Sequence, residues 1–579
     1  VFSCLILLLA VIFIFDYIHI HHNIVFNTVF FLFLSFLPKY INKEDNGLSD
    51  HRFFMKNYIL KHKKELIKLI LFIILASISA VFIQFFRGYV LDSAINKSRD
   101  VIYYGITMFL LIVLEILFTY LFFTASNKLT SVYIEDLRSD IFRSILSKNY
   151  KDFYANDKGN YISKLINEVT LIDEKFFSNL CTFLQVSIKA LLVLISIFLL
   201  NWKLSIIAIF LMTLPLYIPK LIQNKIKNLN SKYVNSINNL TSLLNDYLSG
   251  YEIIHNYSLT QIFIKKFIDK NYNTQYDFYK MRKISSLSRT LSMILSYFSF
   301  FIVVIFSTYL VFKGEFTAGE FFAAIGLVDQ LSWPIISISI NIQNFIAAKP
   351  VINSILPYIN TVDSNIKNSN SEKISNIVFS NICFSYNEKN LIKNFNAEFK
   401  ENKKYLIRGE SGSGKTTLIN LLLGFEKLDS GNIFINGDVC ETEDILEKIS
   451  IVRQETFLFN DTIRNNISLY EDIEDENILK ILNTVNLTKF SSVEDLDTII
   501  ENSGINLSGG EKRRIMLARA LIRKKDVLIL DEPLANLDKN NAHLIEDLIL
   551  KINDVTLIVI SHTFSEEKLK EFDEIYSLE

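Results

Sequence analysis

Six apolar segments dominate the first part of the chain and limit what it can fold into. They cover residues 67–86, 101–124, 180–200, 204–220, 291–312 and 318–340. A helix that crosses the hydrocarbon core of a bilayer needs about 20 mostly apolar residues. The sequence therefore predicts six membrane-spanning helices.

The connections between these segments alternate in length and charge, which predicts an orientation. The third and fourth segments are joined by little more than Asn201–Lys203, and the fifth and sixth by residues 313–317. The other connections are long, polar and compatible with helix. Between Lys220 and Arg289 there are eleven Lys or Arg against four Asp or Glu. Because positive charge favours the cytoplasmic side, we expect the long connections to be cytoplasmic.

The charge of the chain is divided between two regions of opposite sign. Residues 363–579 hold 26 Lys and Arg and 38 Asp and Glu, a balance of −12. The preceding residues hold the other 34 of the 60 basic and 23 of the 61 acidic residues, a balance of +11. An apolar, basic region followed by an acidic one predicts a membrane domain joined to a soluble domain. The four scattered cysteines have no metal-binding spacing.

Two shorter apolar runs, Cys4–Phe15 and Ile24–Leu37, precede the six segments. Each is short for a membrane span, so they could form an additional helical hairpin. Met55 stands just before a basic lead-in to the first segment. We expect residues 1–54 to be an appendage to the main architecture.

A phosphate-binding loop is predicted at residues 409–417, which read Gly-Glu-Ser-Gly-Ser-Gly-Lys-Thr-Thr. The motif follows a strand-like run and precedes a helical one, which is the context that the P-loop requires. Its glycines let backbone N–H groups surround a phosphate at a helix N-terminus. Lys415 is expected to reach the β- and γ-phosphates, and the Thr416 hydroxyl to ligate Mg²⁺.

Two adjacent acids complete the predicted nucleotide site. The buried-strand run Val527–Leu530 ends in Asp531 and Glu532. An acid at the end of a strand beside a P-loop is placed to hold Mg²⁺ through water, which is the role expected of Asp531. Glu532 then stands where a general base could polarise the attacking water.

The stretch Leu507-Ser-Gly-Gly-Glu511, shortly before these acids, resembles the signature motif of ATP-binding-cassette (ABC) proteins. Its serine and glycines form a second anion site at a helix N-terminus. In that family the phosphate at this site belongs to ATP held by the opposite subunit. The resemblance therefore implies a dimer with two ATP molecules between two ATPase domains.

Other residues match the family one at a time. Gln454 resembles the Q-loop glutamine, which touches Mg²⁺ and senses the membrane domain. Ala535–Asp538 resembles the D-loop, and His562 resembles the switch histidine that contacts the γ-phosphate. Tyr386 resembles the aromatic residue that stacks on adenine. Base stacking of this kind contributes about 1–3 kcal/mol.

The resemblance predicts a full set of site residues. The expected catalytic residues are Glu532, His562 and Gln454, and the expected metal ligands are Thr416, Gln454 and Asp531. The expected nucleotide-binding residues are Tyr386, Gly409, Ser411, Gly412, Ser413, Gly414, Lys415, Thr416, Thr417, Ser508, Gly509 and Gly510. ATP and Mg²⁺ are the cofactors implied.

One stretch departs from the family, and three others in the membrane region resemble it. Exporters usually carry Thr-x-x-Gly-Glu-x-Gly before the signature, whereas residues 498–504 read Thr-Ile-Ile-Glu-Asn-Ser-Gly. Residues 159–168 look like the first exporter coupling loop and residues 248–254 like the second. Residues 313–319, with Trp333 and Pro334 downstream, look like the region between the fifth and sixth helices.

The fold class expected is therefore multidomain. An all-α six-helix transmembrane exporter domain at residues 55–350 is followed by a linker at 351–373. An α/β P-loop ATPase domain of the ABC type occupies residues 374–579. The function implied is ATP-driven export by a dimeric half-transporter in the cell membrane, with a cytoplasmic ATPase domain and a bacterial source.

Several alternatives remain open at this stage. The second subunit could be another copy of this chain or a related half-transporter. An ATP-gated channel or regulatory subunit is the alternative function, although such proteins tend to lose the residues that match Glu532 or His562. Six spans exclude a soluble ATPase acting on nucleic acid. The substrate is undetermined, with cationic, peptide, lipid and drug-like compounds all compatible.

Three charged residues fall well inside predicted spans: Glu115, Lys189 and Asp329. A rise of about 1.5 Å per residue places all three near the bilayer centre. A charge there costs at least about 2.5–3.5 kcal/mol unless it is paired or hydrated. We expect Lys189 to pair with Glu115 and Asp329 to face the transport cavity, where it favours a cationic substrate. The alternative is that the span boundaries are displaced and Lys189 reaches an interface.

Overall fold

The computed structural model describes residues 58–59, 61–359, 373–386, 389–410, 412–439, 445–455, 457–501, 504, 506–535, 537 and 539–578. The predicted appendage at residues 1–54 and most of the predicted linker lie outside these residues. The described residues divide into two compact units. The first holds the helices up to Ser147 and from Asn156 to Tyr358, and the second holds Lys148–Ala155 together with residues 373 onward.

In the first unit, every regular element within the described residues is a helix. Its helices are α1 (Lys63–Ile95), α2 (Asp100–Leu146), α4 (Lys158–Ser163), α5 (Val169–Ile172), α6 (Ser178–Leu200), α7 (Trp202–Thr213), α8 (Tyr217–Ser249), α9 (Tyr251–Asn256), α10 (Thr260–Phe312) and α11 (Ala318–Ile355). Short π-helical stretches at Lys164–Glu168 and Asp173–Phe177 join α4, α5 and α6 into one long helix from Lys158 to Leu200.

Among the described residues, five helices are long and apolar enough to cross a membrane: α1, α2, Lys158–Leu200, α10 and the helix that runs from Ala318 to Tyr358. They contain five of the six predicted segments. Several of them extend far beyond their apolar segments, so the long polar connections are helical, as expected. At about 1.5 Å per residue, α10 is about 80 Å long.

The fourth predicted segment, residues 204–220, does not form a single helix. Helix α7 ends at Thr213, a 3₁₀ turn follows at Leu214–Leu216, and α8 begins at Tyr217. Pro215 explains the break, because it has no N–H to donate to the carbonyl of Leu211. That carbonyl accepts hydrogen bonds from the Leu214 N–H and from the Ser299 hydroxyl of α10, the latter at 2.9 Å.

Small residues let the membrane helices approach closely. The buried face of α10 carries a row of serines: Ser288, Ser292, Ser296, Ser299 and Ser307. Small residues of this kind at helix interfaces favour close packing in membranes. Near the ends of α1 and α11, a Cβ added to Gly319 would lie 2.3 Å from the Gly88 carbonyl oxygen and 2.4 Å from Asp92. The two helix backbones are therefore in direct contact there.

The second unit contains two β-sheets and the helices that cover them. Its strands are β1 (Asn376–Tyr386), β2 (Lys389–Lys400), β3 (Lys404–Gly409), β4 (Ser430–Ile435), β5 (Asp438–Val439), β6 (Ile449–Val452), β7 (Val527–Asp531), β8 (Thr556–Ile560) and β9 (Glu574–Leu578). Its helices are α3 (Tyr150–Tyr154), α12 (Lys415–Leu422), α13 (Ile463–Ser468), α14 (Asp475–Thr484), α15 (Gly509–Leu521) and α16 (Lys539–Leu550).

The larger sheet is parallel and determines where the nucleotide site can lie. Its strand order is β6-β7-β8-β3-β9, and every pairing in it is parallel. The second sheet is antiparallel, in the order β2-β1-β4-β5. Because parallel strands all end at the same edge of a sheet, the residues that follow β3, β7 and β8 are brought together there. Strands β7 and β8 are buried along their whole length.

One short segment belongs to a different unit from its neighbours in the sequence. Residues Lys148–Ala155, between α2 and α4, group with the second unit and contain helix α3. The resemblance noted in the sequence predicted the first coupling loop at residues 159–168. Those residues form α4 and the adjacent π-helical stretch of the first unit. The segment that groups with the second unit therefore precedes the predicted one.

Candidate functional site

The P-loop begins at Gly409, the last residue of β3, and runs into the first turn of helix α12. Gly414 precedes the helix with a φ of +95°, a conformation that glycine adopts without strain. A Cβ added to Gly409 would lie 2.6 Å from both the Leu578 carbonyl oxygen and the Ser413 hydroxyl. Both positions therefore require glycine. Ser411 lies outside the described residues.

Lys415 is buried at the start of α12. Its Nζ atom donates hydrogen bonds to the carbonyl oxygens of Gly409 and Glu410, at 2.8 and 2.7 Å. These bonds hold the ammonium group inside the curve of the loop, next to the amides at the helix N-terminus. A concentration of N–H groups and positive charge of this kind suits a phosphate.

Thr416 and Asp531 form a pair of oxygen donors beside the P-loop. The Thr416 hydroxyl lies 3.3 and 3.2 Å from the two carboxylate oxygens of Asp531. Asp531 is 1% exposed at the end of β7. Burial raises the pKa of Asp531, and the hydrogen bond from Thr416 opposes that rise. Hydroxyl and carboxylate oxygens are ligands that Mg²⁺ accepts, so these two residues fit that ion.

Glu532 connects three parts of the site. Its Oε1 atom lies 2.8 Å from Nδ1 of His562, which follows β8, and 3.8 Å from Nζ of Lys415. Its Oε2 atom is buried and has no hydrogen-bond partner among the described residues. Its backbone has a φ of +48°, which is rare for residues other than glycine. Such strain is typical of functional positions.

The signature residues occupy the N-terminus of α15. The Ser508 hydroxyl accepts a hydrogen bond from the Glu511 N–H at 3.2 Å, and the Glu511 carboxylate accepts one from the Ser508 N–H at 2.7 Å. This reciprocal capping box fixes where the helix starts. Gly509 and Gly510 form its first turn, and a Cβ on Gly510 would lie 3.1 Å from the Asn541 side chain.

The remaining predicted residues occupy separate positions. Gln454 is exposed just after β6, and its backbone carbonyl accepts a hydrogen bond from Arg513 at 3.0 Å. Tyr386 ends β1 on the antiparallel sheet and is 60% exposed, as a residue that stacks on a ligand would be. Asp538 of the predicted D-loop lies outside the described residues. So do Asn502 and Ser503, which belong to the stretch at residues 498–504 that differs from the usual exporter sequence.

Sequence reasoning missed two arginines that lie close to the site. Arg513 is 3% exposed in α15, and its guanidinium donates to the carbonyls of Arg453 and Gln454. Arg453 acts electrostatically on Asp531. The position of Arg453 next to Gln454 was the only available signal. For Arg513 the signal was a basic residue one turn before Leu517, which is buried on the same side of α15.

Known proteins resemble the chain over most of its length. The family model of the ABC transporter transmembrane region matches residues 66–335, and the ABC transporter family model matches residues 392–535. A multidrug resistance-like ATP-binding protein MdlB of Buchnera aphidicola is 28% identical over 88% of this chain and 90% of its own length. An ATP-dependent lipid A-core flippase of Syntrophus aciditrophicus is 28% identical over 75% of this chain and 74% of its own length.

A solved structure supports the same fold. A bacterial Atm1-family ABC exporter with ATP bound superimposes with a TM-score of 0.75, at 19% sequence identity. The match covers 89% of this chain and 93% of that exporter.

Proposed function

The chain belongs to the ABC transporter family, in the exporter arrangement that fuses a transmembrane region and an ATPase domain, and from that premise we propose how it works. ATP hydrolysis at the edge of the parallel sheet powers export of a substrate across the membrane. The observation that carries this proposal is the position of Glu532, which is 2.8 Å from His562 and adjacent to the buried Asp531.

The proposed binding step uses the P-loop and Tyr386. Tyr386 stacks on adenine, which its exposure at the end of β1 permits. The P-loop amides and Lys415 hold the β- and γ-phosphates. The residues around the loop that complete the phosphate site are Gly409, Ser411, Gly412, Ser413, Gly414, Thr416 and Thr417. The buried Ser413 hydroxyl, which has no hydrogen-bond partner among the described residues, supports a polar ligand there.

Thr416, Asp531 and Gln454 are the residues proposed to hold Mg²⁺. When bound, the ion neutralises negative charge on the phosphates. Thr416 and Asp531 are already within 3.3 Å of each other, so little rearrangement is needed to bring their oxygens to one ion.

Glu532 is proposed to accept a proton from the attacking water. His562 holds the carboxylate in place through Oε1, which leaves the unpartnered Oε2 to accept the hydrogen bond from water. A positioned general base contributes about 10²–10⁴-fold to the rate. His562 is also proposed to contact the γ-phosphate. The positions of the His562 and Glu532 side chains then depend on whether that phosphate is present.

A second ATPase domain is needed because the P-loop and the signature serve different nucleotides. Ser508, Gly509 and Gly510 are proposed to meet the γ-phosphate of ATP bound to the second subunit, at the N-terminus of α15. This chain contains both the P-loop and the signature residues, so a homodimer has two working ATP sites. A related half-transporter is the alternative second subunit.

The location proposed is a bacterial cell membrane, with the ATPase domain in the cytoplasm. The domain boundaries proposed are residues 55–350 for the membrane domain and 374–579 for the ATPase, with residues 1–54 as an appendage. Among the helices described, five have the length and composition of membrane spans, which supports a multi-pass protein. The names of the relatives, a multidrug resistance-like protein and a lipid A-core flippase, support amphipathic substrates.

One experiment distinguishes ATP-driven export from the competing function, an ATP-gated channel or regulatory subunit. The full chain is placed in inside-out vesicles with ATP, and uptake of drug-like cations, peptides and fluorescent lipids is followed. We expect uphill accumulation of at least one class, and none with the non-hydrolysable analogue of ATP. Downhill flux that persists with the analogue would indicate a gated channel.

A further inference from the structure

Helix α16 carries a carboxylate on the side that packs into the core of the second unit. Glu546 is 3% exposed, and Ile545 and Ile549, its neighbours on that side, are fully buried. Leu550, one turn after Glu546, is buried as well. A buried carboxylate is costly unless its oxygens accept hydrogen bonds and a nearby charge balances it. The contacts that Glu546 makes must therefore offset this cost.

The loop that follows β8 supplies two of these contacts. The Ser565 N–H donates to Oε1 of Glu546 at 3.0 Å, and the Ser565 hydroxyl donates to Oε2 at 3.1 Å. Hydrogen bonds to a charged acceptor are stronger than those between neutral groups. Because one residue occupies both oxygens, the pair of bonds fixes the place and the orientation of Ser565. Ser565 comes three residues after His562.

Two basic side chains balance the charge of Glu546. Nζ of Lys568 lies 3.4 Å from Oε2, and Nδ1 of His543 lies 3.3 Å from the same atom. Lys568 also pairs with Asp547, the next residue of α16. Both oxygens of Glu546 therefore have polar partners, and the hydrogen bonds to Ser565 join the loop to α16.

The loop from Ser561 to Ser565 contains no helix or strand, so contacts outside it hold it in place. Before His562 it continues from β8. After His562 it is held by Phe564, which is 5% exposed, and by the two bonds from Ser565. Apolar contact is non-directional, whereas hydrogen bonds require a defined angle. Glu546 therefore sets the direction in which the backbone leaves His562.

We propose that Glu546 is a positioning residue for His562. By fixing Ser565, it holds the loop so that Nδ1 of His562 lies 2.8 Å from the Glu532 carboxylate. Without the two bonds the loop is free to shift, and His562 no longer holds Glu532 in place. This inference rests on the roles proposed for His562 and Glu532 in hydrolysis.

Two conservative substitutions separate the reach of the Glu546 side chain from its charge. Glu546→Asp keeps the charge, but its oxygens are one methylene short of Ser565. Glu546→Gln keeps the reach, since its amide oxygen can accept the Ser565 N–H and its amide nitrogen can donate to the hydroxyl. Turnover is measured on the full-length protein in lipid nanodiscs. It is expressed per nucleotide-binding site, so that unfolded protein is not counted.

We expect Glu546→Asp to lose about five- to tenfold in kcat, with KM for ATP within about twofold of the parent. Glu546→Gln should keep at least about half of the parental kcat, because it retains both bonds. Asp547→Asn is the matched control, since Asp547 is exposed and pairs with Lys568 without contributing to the bonds that hold Ser565. It should leave kcat unchanged. Ser565→Ala removes one of the two bonds and should give an intermediate loss.

Two results would overturn the proposal. One is a parental kcat in Glu546→Asp, which is the result expected if Glu546 only stabilises the fold. The other is an equal loss in Glu546→Asp and Glu546→Gln, which would show that charge and not reach matters. His562→Ala in the same assay tests the role on which the proposal rests. Parental turnover in His562→Ala would refute that role, whereas a slow His562→Ala beside a normal Glu546→Asp would refute the positioning proposal alone.

Discussion

At the scale of single residues, the site is defined by pairs of side chains delivered by different strands. Asp531, at the end of β7, lies close to Thr416 of α12, and Glu532, directly after β7, lies close to His562, which follows β8. No two of these four residues are close in sequence except the adjacent acids. Their proximity follows from the parallel order of β7, β8 and β3.

Tyr386 gives a prediction about nucleotide choice. If stacking by its exposed ring supplies most of the contact to the base, few groups read the base edges. GTP should then be hydrolysed appreciably, and Tyr386→Ala should raise KM for ATP and GTP alike, by roughly 5- to 150-fold for a loss of about 1–3 kcal/mol. Steady-state turnover with both nucleotides measures this. A strict preference for ATP in the parent chain would contradict it.

Ser299 gives a prediction about stability. Its hydroxyl donates to the Leu211 carbonyl, the group that Pro215 leaves without its helical partner. Ser299→Ala should destabilise the protein by about 1 kcal/mol, because a buried acceptor loses one of its donors. Thr308→Ala is the matched control, since that hydroxyl is exposed and bonds only within its own helix. Thermal unfolding in detergent compares them, and equal unfolding temperatures for the two variants would count against this account of the break.

At the scale of elements, the sequence identified the long features correctly and located their interruptions less well. Apolar segments of about 20 residues and the strand-flanked P-loop predicted the helical unit and the parallel sheet. The break at Pro215 was missed because the apolar run continues through it, and a hydropathy pattern does not register a lost N–H. The coupling segment was placed too late because α3 is only five residues long and has no apolar periodicity.

The position of the candidate site could be predicted from local motifs, and the roles of its residues stay predictions. Its chemistry depends on short motifs whose residue types are required locally, such as glycine at 409 and 414. Arg453 and Arg513 could not be placed in the same way. Their roles come from contacts across about 30 to 60 positions in sequence, which no local pattern encodes.

The membrane helices carry a prediction about the substrate. Glu115 of α2 and Lys189 of α6 are half-buried, and Lys189 is near enough to act on Glu115 electrostatically. Asp329 of α11 is exposed. We expect Asp329→Asn to lose substrate-stimulated ATPase activity while keeping basal hydrolysis and expression, because an acid in the cavity attracts a cationic substrate.

The companion variant tests the proposed pair. Glu115→Gln should lower thermal stability by leaving Lys189 without its counter-charge, and Lys189→Met in the same chain should restore part of it. Substrate-stimulated turnover and unfolding temperature are measured for all variants. A normal substrate response in Asp329→Asn would contradict the cavity role, and failure of Lys189→Met to rescue would contradict the pair.

At the scale of the whole molecule, the proposed ATP site is complete only when a second subunit adds its signature residues. This predicts a cross-link. In a chain whose four cysteines are replaced by serine, Ser413→Cys and Ser508→Cys together should form an intersubunit disulfide when ATP is bound. A disulfide requires Cα atoms about 4.4–6.8 Å apart. Non-reducing electrophoresis detects it, with each single variant as control. Cross-linking that is absent with ATP would contradict the shared site.

The central claim is that the carboxylate beside Asp531 drives hydrolysis and that hydrolysis reopens a closed dimer. Glu532→Gln, measured on the full-length protein in nanodiscs, tests it most directly, with the exposed Glu567→Gln as matched control. We predict that Glu532→Gln loses about 10²–10⁴-fold in ATP turnover yet still binds ATP and accumulates as a closed dimer. ATP turnover by Glu532→Gln at close to the parental rate would contradict the claim.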